Sequence, residues 1–193
     1  MKLLFRPAEG GAVDLKHGEV LFDIRKTSWG WIGAGLTPDG VAAVVLPLPT
    51  PGEASEKIRS LTAVKVVRSA REVERVLSDI ELYLSGAIRD LKHPIDFGNA
   101  TDFQVRVWEA ARRVPYGQTR TYGWLSREIS GRVSASRAVG QALGKNPVPL
   151  LVPCHRITAA GGLGGFTGGL EMKRKLLRLE GTQLVDPEEI GVN

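Results

Sequence analysis

The sequence predicts an α+β fold in two parts, a strand-and-helix domain over residues 1–90 and a mostly helical domain over residues 101–181. Three observations carry this reading: β-rich apolar runs confined to the first half, capped helical periodicity through the second, and an aperiodic stretch between them. A length of 193 residues accommodates two such domains, and 42% apolar with 24% charged residues is ordinary for a globular chain.

In the first half, VLFDIRKTSWGWIGAGL and GVAAVVLPL read as strand-like runs, and Pro38, Asp39 and Gly40 between them as a hairpin turn. Trp29 and Trp31 sit at strand spacing on one face and are expected in the core. Ser69 to Glu72 has the S-x-x-E pattern of a capping box, and Val73, Val76, Leu77, Ile80 and Leu84 keep helical spacing until Gly86. That helix is expected to lie on the sheet. Periodicity then stops, and residues 91–100, with Pro94 and Gly98, form the expected linker.

Thr101 and Gln104 make a second capping-box pattern, followed by Phe103, Val107, Trp108 and Ala111 on one helical face. TRTYGWLSREISG reads as a short helix stopped by Gly131. SASRAVGQALGKNP reads as another, capped by Ser134 or Ser136 and closed before Pro147. Two short helices and a tight turn suggest a helix-turn-helix. The small residues beside Arg137 on the second helix suit either close approach to a surface or plain helix packing. A glycine-rich loop, GGLGGFTGGL, leads into a last helix on which Leu170, Lys173, Leu176, Leu177 and Glu180 fall near one side, with Gly181 as its cap. The loop lacks the G-x-x-x-x-G-K-[ST] pattern of a phosphate loop.

Charge is uneven. Residues 1–100 carry 13 Lys/Arg against 13 Asp/Glu, residues 101–181 carry 13 against 5, and residues 182–193 form an acidic tail with 0 against 3. An excess of +8 in the second domain fits binding to a polyanion, and it equally fits a solvated basic face. No apolar run approaches the roughly 20 residues that span a bilayer, and the N-terminal MKLLFRPAEGG is too short in apolar residues for a signal peptide. A cytoplasmic chain with no membrane contact is expected.

The sequence has one cysteine, Cys154, in LVPCHRITAAGG. It cannot close an internal disulfide or build a Cys-rich zinc site, so it is either a small buried apolar residue or a reactive thiol. Pro153 stiffens the backbone there, and His155 and Arg156 offer a base and a positive charge beside the sulfur, the setting in which a thiolate becomes accessible. In an extended strand the two side chains would point to opposite faces, so a productive pair requires a turn, a helical start or a bridging water. Glu180 is a candidate acceptor to orient the imidazole.

PCHRI, preceded by GKNPVP and followed by GGFTGG and LLRLEG, resembles the methylated-DNA-protein-cysteine methyltransferases, or O6-alkylguanine-DNA alkyltransferases. PYGQTRTYGWL and ASRAVGQALGKNP extend the likeness almost continuously over residues 101–181, while TSWGWIGAGLTPDGVAAVVLP resembles the family's variable N-terminal strands only weakly. The resemblance implies a ribonuclease H-like N-terminal domain and a winged-helix-like C-terminal domain. It implies stoichiometric, cofactor-free transfer of an alkyl group from O6 of guanine in double-stranded DNA to Cys154, each molecule acting once as a monomer. His155 would take the thiol proton through a water, Glu180 would orient His155, Asn146 would tie the preceding turn to the nucleophile segment, and Tyr122 would donate to the departing guanine.

The resemblance further implies that the target base is flipped out through the minor groove, with Arg137 entering the stack and Ser136, Ala138 and Tyr122 at the DNA. Ile157, Phe166, Thr167 and Gly168 would bind the flipped base. Phe166 and Thr167 stand where the family more often has Tyr and a small residue. Relatives that bind zinc do so with N-terminal cysteines absent here, so no metal is expected and His17 and His93 are read as surface or linker residues. A lesion-binding module without chemistry, a cysteine hydrolase and a dimeric regulator are the competing classes; Cys154 argues against the first and Arg137 against the second.

Overall fold

The computed structural model describes residues 18–62, 64–132 and 135–182. Within these, the chain divides into two compact units, one containing the residues up to Ser78 with His93–Ala100, the other Asp79–Lys92 with Thr101 onward. His17, Ser134 and all but the first residue of the acidic tail lie outside the described residues.

In the first unit, β1 (Glu19–Thr27), β2 (Gly30–Thr37) and β3 (Gly40–Leu48) form an antiparallel meander, and β4 (Lys65–Arg68) adds parallel to β1, giving the order β3-β2-β1-β4. The turn at Pro38 and Asp39 falls where the sequence predicts it. The long first run, however, breaks into two strands at Thr27–Gly30. The Thr27 hydroxyl accepts the Trp29 N–H at 3.1 Å and donates to the Gly30 carbonyl at 2.9 Å. Gly30 has φ +128°, and a Cβ there would stand 2.7 Å from the Leu48 carbonyl oxygen, so only glycine fits. Trp29 is thereby placed in the turn and Trp31 at a strand end. Both are half-buried rather than in the core, with Trp31 packed beside Phe22, Ala43, Val45, Ala54 and Ile58.

Helix α1 (Pro51–Leu61) covers that cluster with Ala54 and Ile58. Its start carries a legible signal that the sequence reading passed over, as it did β4: the Thr50 side chain accepts the Glu53 N–H at 3.2 Å, and Pro51 takes the first turn. Helix α2 (Ala70–Leu84) begins just after Ser69, as its spacing predicts. Its first half is tied to β1 by Arg25, which donates to Glu74 at 2.6 Å and Ser78 at 3.1 Å. Residues 93–100 have no periodicity because they pair at the sheet edge. The Val41 N–H donates to the Pro94 carbonyl at 2.9 Å, the Asp96 N–H returns to Val41 at 3.0 Å, and the buried Asp96 carboxylate accepts the Thr37 hydroxyl at 2.7 Å.

In the second unit, α3 (Asp102–Arg112) opens on a complete capping box: the Thr101 hydroxyl accepts the Gln104 N–H at 3.3 Å and the Gln104 side chain accepts the Thr101 N–H at 2.9 Å. Trp108, buried on its inner face, donates its indole N–H to the Ala142 carbonyl at 2.9 Å. Two short parallel strands, β5 (Arg120–Thr121) and β6 (Ile157–Thr158), bring the two ends of the site segment together. Helix α4 (Tyr122–Ser130) ends in a left-handed Gly131, and α5 (Ser136–Gly144) begins at Ala135 with no side-chain cap, so Ser136 is the first helical residue and not its cap.

Helix α6 (Leu170–Leu179) closes with the Gly181 N–H donating to Arg178 and the Thr182 N–H to Leu177, a paired closure that needs the left-handed Gly181 (φ +73°). Leu170 is 44% exposed, so the buried side of α6 starts at Lys173 instead. Thr101→Ala removes one cap of α3 and is expected to lower the unfolding free energy of the chain by about 1 kcal/mol, read from the midpoint of urea unfolding.

Candidate active site

The segment between α5 and β6 doubles back on itself and presents Cys154. Asn146, just past α5 and buried, organises it: its Oδ1 accepts the Val148 N–H at 3.0 Å, and its Nδ2 donates to the Val152 carbonyl at 3.0 Å. Leu150 takes the left-handed conformation with φ 75°, unusual for a residue with a Cβ, and lets the Val152 N–H return to Val148 at 2.9 Å. Cys154, His155 and Arg156 then form a single 3₁₀ turn. This is the helical start that lets adjacent side chains serve one site.

The Cys154 thiol accepts a hydrogen bond from Asn146 Nδ2 at 3.2 Å and stands in the wall of a cavity of about 250 Å³. Tyr122, Gly140, Leu143, Gly144, Gly165, Phe166 and Thr167 make up the rest of the lining. Burial pushes the thiol pKa up, opposed by the Asn146 hydrogen bond and the charge of Lys173, so at neutral pH the sulfur is held as a thiol. Across the cavity the Tyr122 hydroxyl donates to the Gly165 carbonyl at 3.1 Å. Its pKa is also raised, chiefly by burial and by the cysteine, so the phenol keeps its proton. The loop must pass close to this ring. A Cβ on Gly164 would come within 2.7 Å of Tyr122 Cε2.

Behind Cys154, His155 is fully buried and its Nε2 lies 2.6 Å from Glu180 Oε1. Burial pushes the imidazole pKa down against the pull of Glu180, so the ring is neutral. With a carboxylate at Nε2, that nitrogen carries the hydrogen, and Nδ1, which has no partner among the described residues, is the acceptor. Glu180 is the hub. Besides His155 it accepts the Arg156 guanidinium at 2.9 and 3.1 Å, the Tyr83 hydroxyl, and the Gly117 N–H at 3.0 Å. Burial would raise its pKa, yet His155, Arg156 and Tyr83 outweigh that and hold the carboxyl down at about 2.

The residues predicted to act together are therefore gathered in two layers: Cys154, Asn146, Tyr122, Phe166 and Thr167 at the cavity, and His155 with Glu180 behind it. Ile157 and Gly168 stand outside the lining; Ile157 is fully buried in β6, and Gly168 is exposed on the loop just past Thr167. Arg137 and Ala138 are exposed near the start of α5, with Ser136 half-buried beside them. Arg156 departs from expectation. Its guanidinium sits on Glu180 and donates to the Val114 carbonyl at 2.7 Å, so it buttresses the histidine rather than flanking the sulfur.

The cation coupled to the thiol is Lys173, fully buried on α6 and missed by sequence reasoning, although a lysine at the spacing of Leu176 and Leu177 was the signal. Tyr83 was missed too, since it lies at the end of α2, outside the span of the second-domain motifs. Among the described residues no group of three His, Cys, Asp or Glu side chains could hold a metal ion, and no helix is long and apolar enough to cross a membrane.

Residues 102–182 match the family model of the 6-O-methylguanine DNA methyltransferase DNA-binding domain. Among curated proteins, the methylated-DNA-protein-cysteine methyltransferase of Methanosarcina acetivorans is 43% identical over 113 residues, 58% of this chain and 69% of that one. Those of Sulfurisphaera tokodaii and Mycobacterium tuberculosis are each 44% identical, over 53% and 54% of this chain and 64% and 62% of theirs. Among solved structures, Mycobacterium tuberculosis O6-methylguanine methyltransferase superposes with a TM-score of 0.67 at 29% identity, covering 88% of this chain and 98% of that one. The same organism's OGT in complex with DNA gives 0.69 at 29% identity, over 84% and 93%.

Glu180→Gln leaves the Arg156 charge buried without its counter-charge and is expected to cost about 3–5 kcal/mol of stability. With its pKa depressed to about 2 from 4.5, the carboxylate contributes fully above about pH 4.5 and loses that contribution as pH falls towards 2. Urea titrations at stepped pH should show this acid limb in the parent and its loss in Glu180→Gln.

Proposed function

The chain belongs to the methylated-DNA-protein-cysteine methyltransferase family, and from that premise we propose that it repairs alkylated duplex DNA by moving the alkyl group from O6 of guanine onto Cys154. The observation that carries the reading is a protonated, buried thiol in the wall of an apolar cavity, backed by a neutral histidine whose other nitrogen is fixed on Glu180. His155 Nδ1 takes the thiol proton through one water, Glu180 stabilises the resulting imidazolium, and Asn146 Nδ2 stabilises the thiolate. The thiolate attacks the alkyl carbon as the carbon–oxygen bond breaks, leaving a thioether and a guanine anion. Tyr122, kept protonated by burial, turns its hydroxyl from the Gly165 carbonyl to the departing base.

Reaching O6 requires the base to leave the stack, at a cost of about a few kcal/mol. Arg137 lies one helical turn before Gly140 and two before Gly144, on the side of α5 that lines the cavity, so an exposed arginine adjoins the pocket that would receive the base. In this reading α4 and α5 act as a helix-turn-helix entering the minor groove, with Ser136 and Ala138 against the backbone and residues 101–181 as the alkyl-transfer domain of a winged-helix type. The first unit is the ribonuclease H-like domain of the family. A thioether has no route back to a thiol here, so each monomer acts once and without a cofactor.

Intact and peptide mass spectrometry after mixing with excess duplex containing O6-methylguanine tests this. One methyl per molecule on Cys154, absent in Cys154→Ala, is expected; tight lesion binding with no methyl transferred would leave a recognition module instead.

A further inference from the structure

Lys173 is a fully buried lysine, and no carboxylate among the described residues forms an ion pair with it. Its ammonium instead spends all three hydrogens on backbone carbonyls: Ile157 at 2.6 Å, Leu163 at 2.6 Å and Gly165 at 3.2 Å. These acceptors come from two places. Ile157 begins the strand directly after the Cys154–Arg156 turn, and Leu163 and Gly165 belong to the glycine-rich loop that walls the cavity. One ammonium therefore clamps the loop to the nucleophile segment. The Gly165 carbonyl also accepts the Tyr122 hydroxyl at 3.1 Å, so lysine and tyrosine share one oxygen.

A buried cation is costly unless it gains something in the folded protein. A loop with the glycines 161, 162, 164, 165, 168 and 169 has little side-chain packing to hold it, and three charge-assisted hydrogen bonds supply what packing does not. The groups that face Cys154 electrostatically are Tyr122 from α4, the Asn146 amide after α5, and Lys173 from α6, with His155 next in the chain and coupled to Lys173 in turn. Of these only Lys173 carries a positive charge towards the sulfur. Its own pKa is lowered by burial to about 8, and a thiolate at Cys154 raises it, so each group favours the charged form of the other.

We propose that Lys173 is a positioning residue for alkyl transfer, clamping the cavity loop and the Tyr122 hydroxyl through the Gly165 carbonyl while its charge favours the thiolate form of Cys154. This rests on the alkyl-transfer reading above. Loss of hydrogen bonds to a charged group predicts a slowing of about ten- to a hundredfold in the single-turnover rate.

The experiment compares the parent chain with Lys173→Met and Lys173→Gln, the second keeping donors without the charge. Each is measured for methyl transfer from O6-methylguanine duplex, for binding to undamaged duplex, and for the pH dependence of Cys154 alkylation by iodoacetamide. Slowed transfer with unchanged duplex binding is expected in both variants, and the iodoacetamide profile should move to higher pH, which a merely structural role would not produce. Combined with Tyr122→Phe, Lys173→Met should slow transfer by less than the product of the two single effects, because both act on one carbonyl.

If both lysine variants fail to fold, the parent decides. NMR of Cε-labelled lysines should then show one buried lysine titrating near pH 8. A parent that transfers methyl while the variants match its rate and pH profile overturns the proposal, as does a parent in which no lysine titrates near pH 8. A parent that transfers nothing overturns the alkyl-transfer reading instead.

Discussion

The Glu180 carboxylate draws together four parts of the second unit: the end of α2 through Tyr83, the turn after α3 through Gly117, the Cys154–Arg156 turn through His155 and Arg156, and α6, at whose end it sits. A buried negative charge must be answered on every lone pair, and here the donors come from three separate stretches of backbone. Arg156 supplies the compensating charge with the two-pronged geometry that suits a carboxylate. That leaves His155 free to be neutral, so the imidazole is oriented by the carboxylate without being its counter-ion. Moving Glu180 would misplace the His155 imidazole, the Cys154–Arg156 turn and the end of α2 together.

The environment of the sulfur is built on the opposite principle. Around Cys154 the wall is apolar or backbone, relieved by one amide, one phenol, the Thr167 hydroxyl and one lysine a layer away. A thiol so placed keeps its proton, and the neutral imidazole with its carboxylate lies behind it rather than beside it. Water exclusion and charge storage are thus divided between two faces of a single 3₁₀ turn. Space for the cavity comes from absent side chains: Gly140, Gly144 and Gly165 line it, and Gly164 lets the loop pass against Tyr122.

Legibility followed the range of the interaction responsible. The helix starts at Thr101 and the stop at Gly131 depend on a few neighbouring residues, and both stand where the pattern puts them. The two tryptophans did not follow their spacing, because the chain turns at Thr27–Gly30, held by the Thr27 hydroxyl, with Gly30 passing against the Leu48 carbonyl across the sheet. Residues 93–100 carry no periodicity for a similar reason. They pair with β3 through two backbone hydrogen bonds, which leave no trace in side-chain pattern.

By itself, the sequence determined the class of fold, the capped helices of the second half, and Cys154 and His155 with Glu180 as a candidate partner; Asn146 and Tyr122 were legible only through the resemblance to the alkyltransferase family. The helices follow from local propensity, and the cysteine and histidine from residues adjacent in the chain. Only the tertiary structure decided what Arg156 and Lys173 do. The first turns away from the sulfur to Glu180, 24 residues on, and the second is buried against carbonyls 8, 10 and 16 residues before it. A charged side chain's partner is set by which distant backbone or carboxylate the fold leaves unsatisfied, and no local pattern records that.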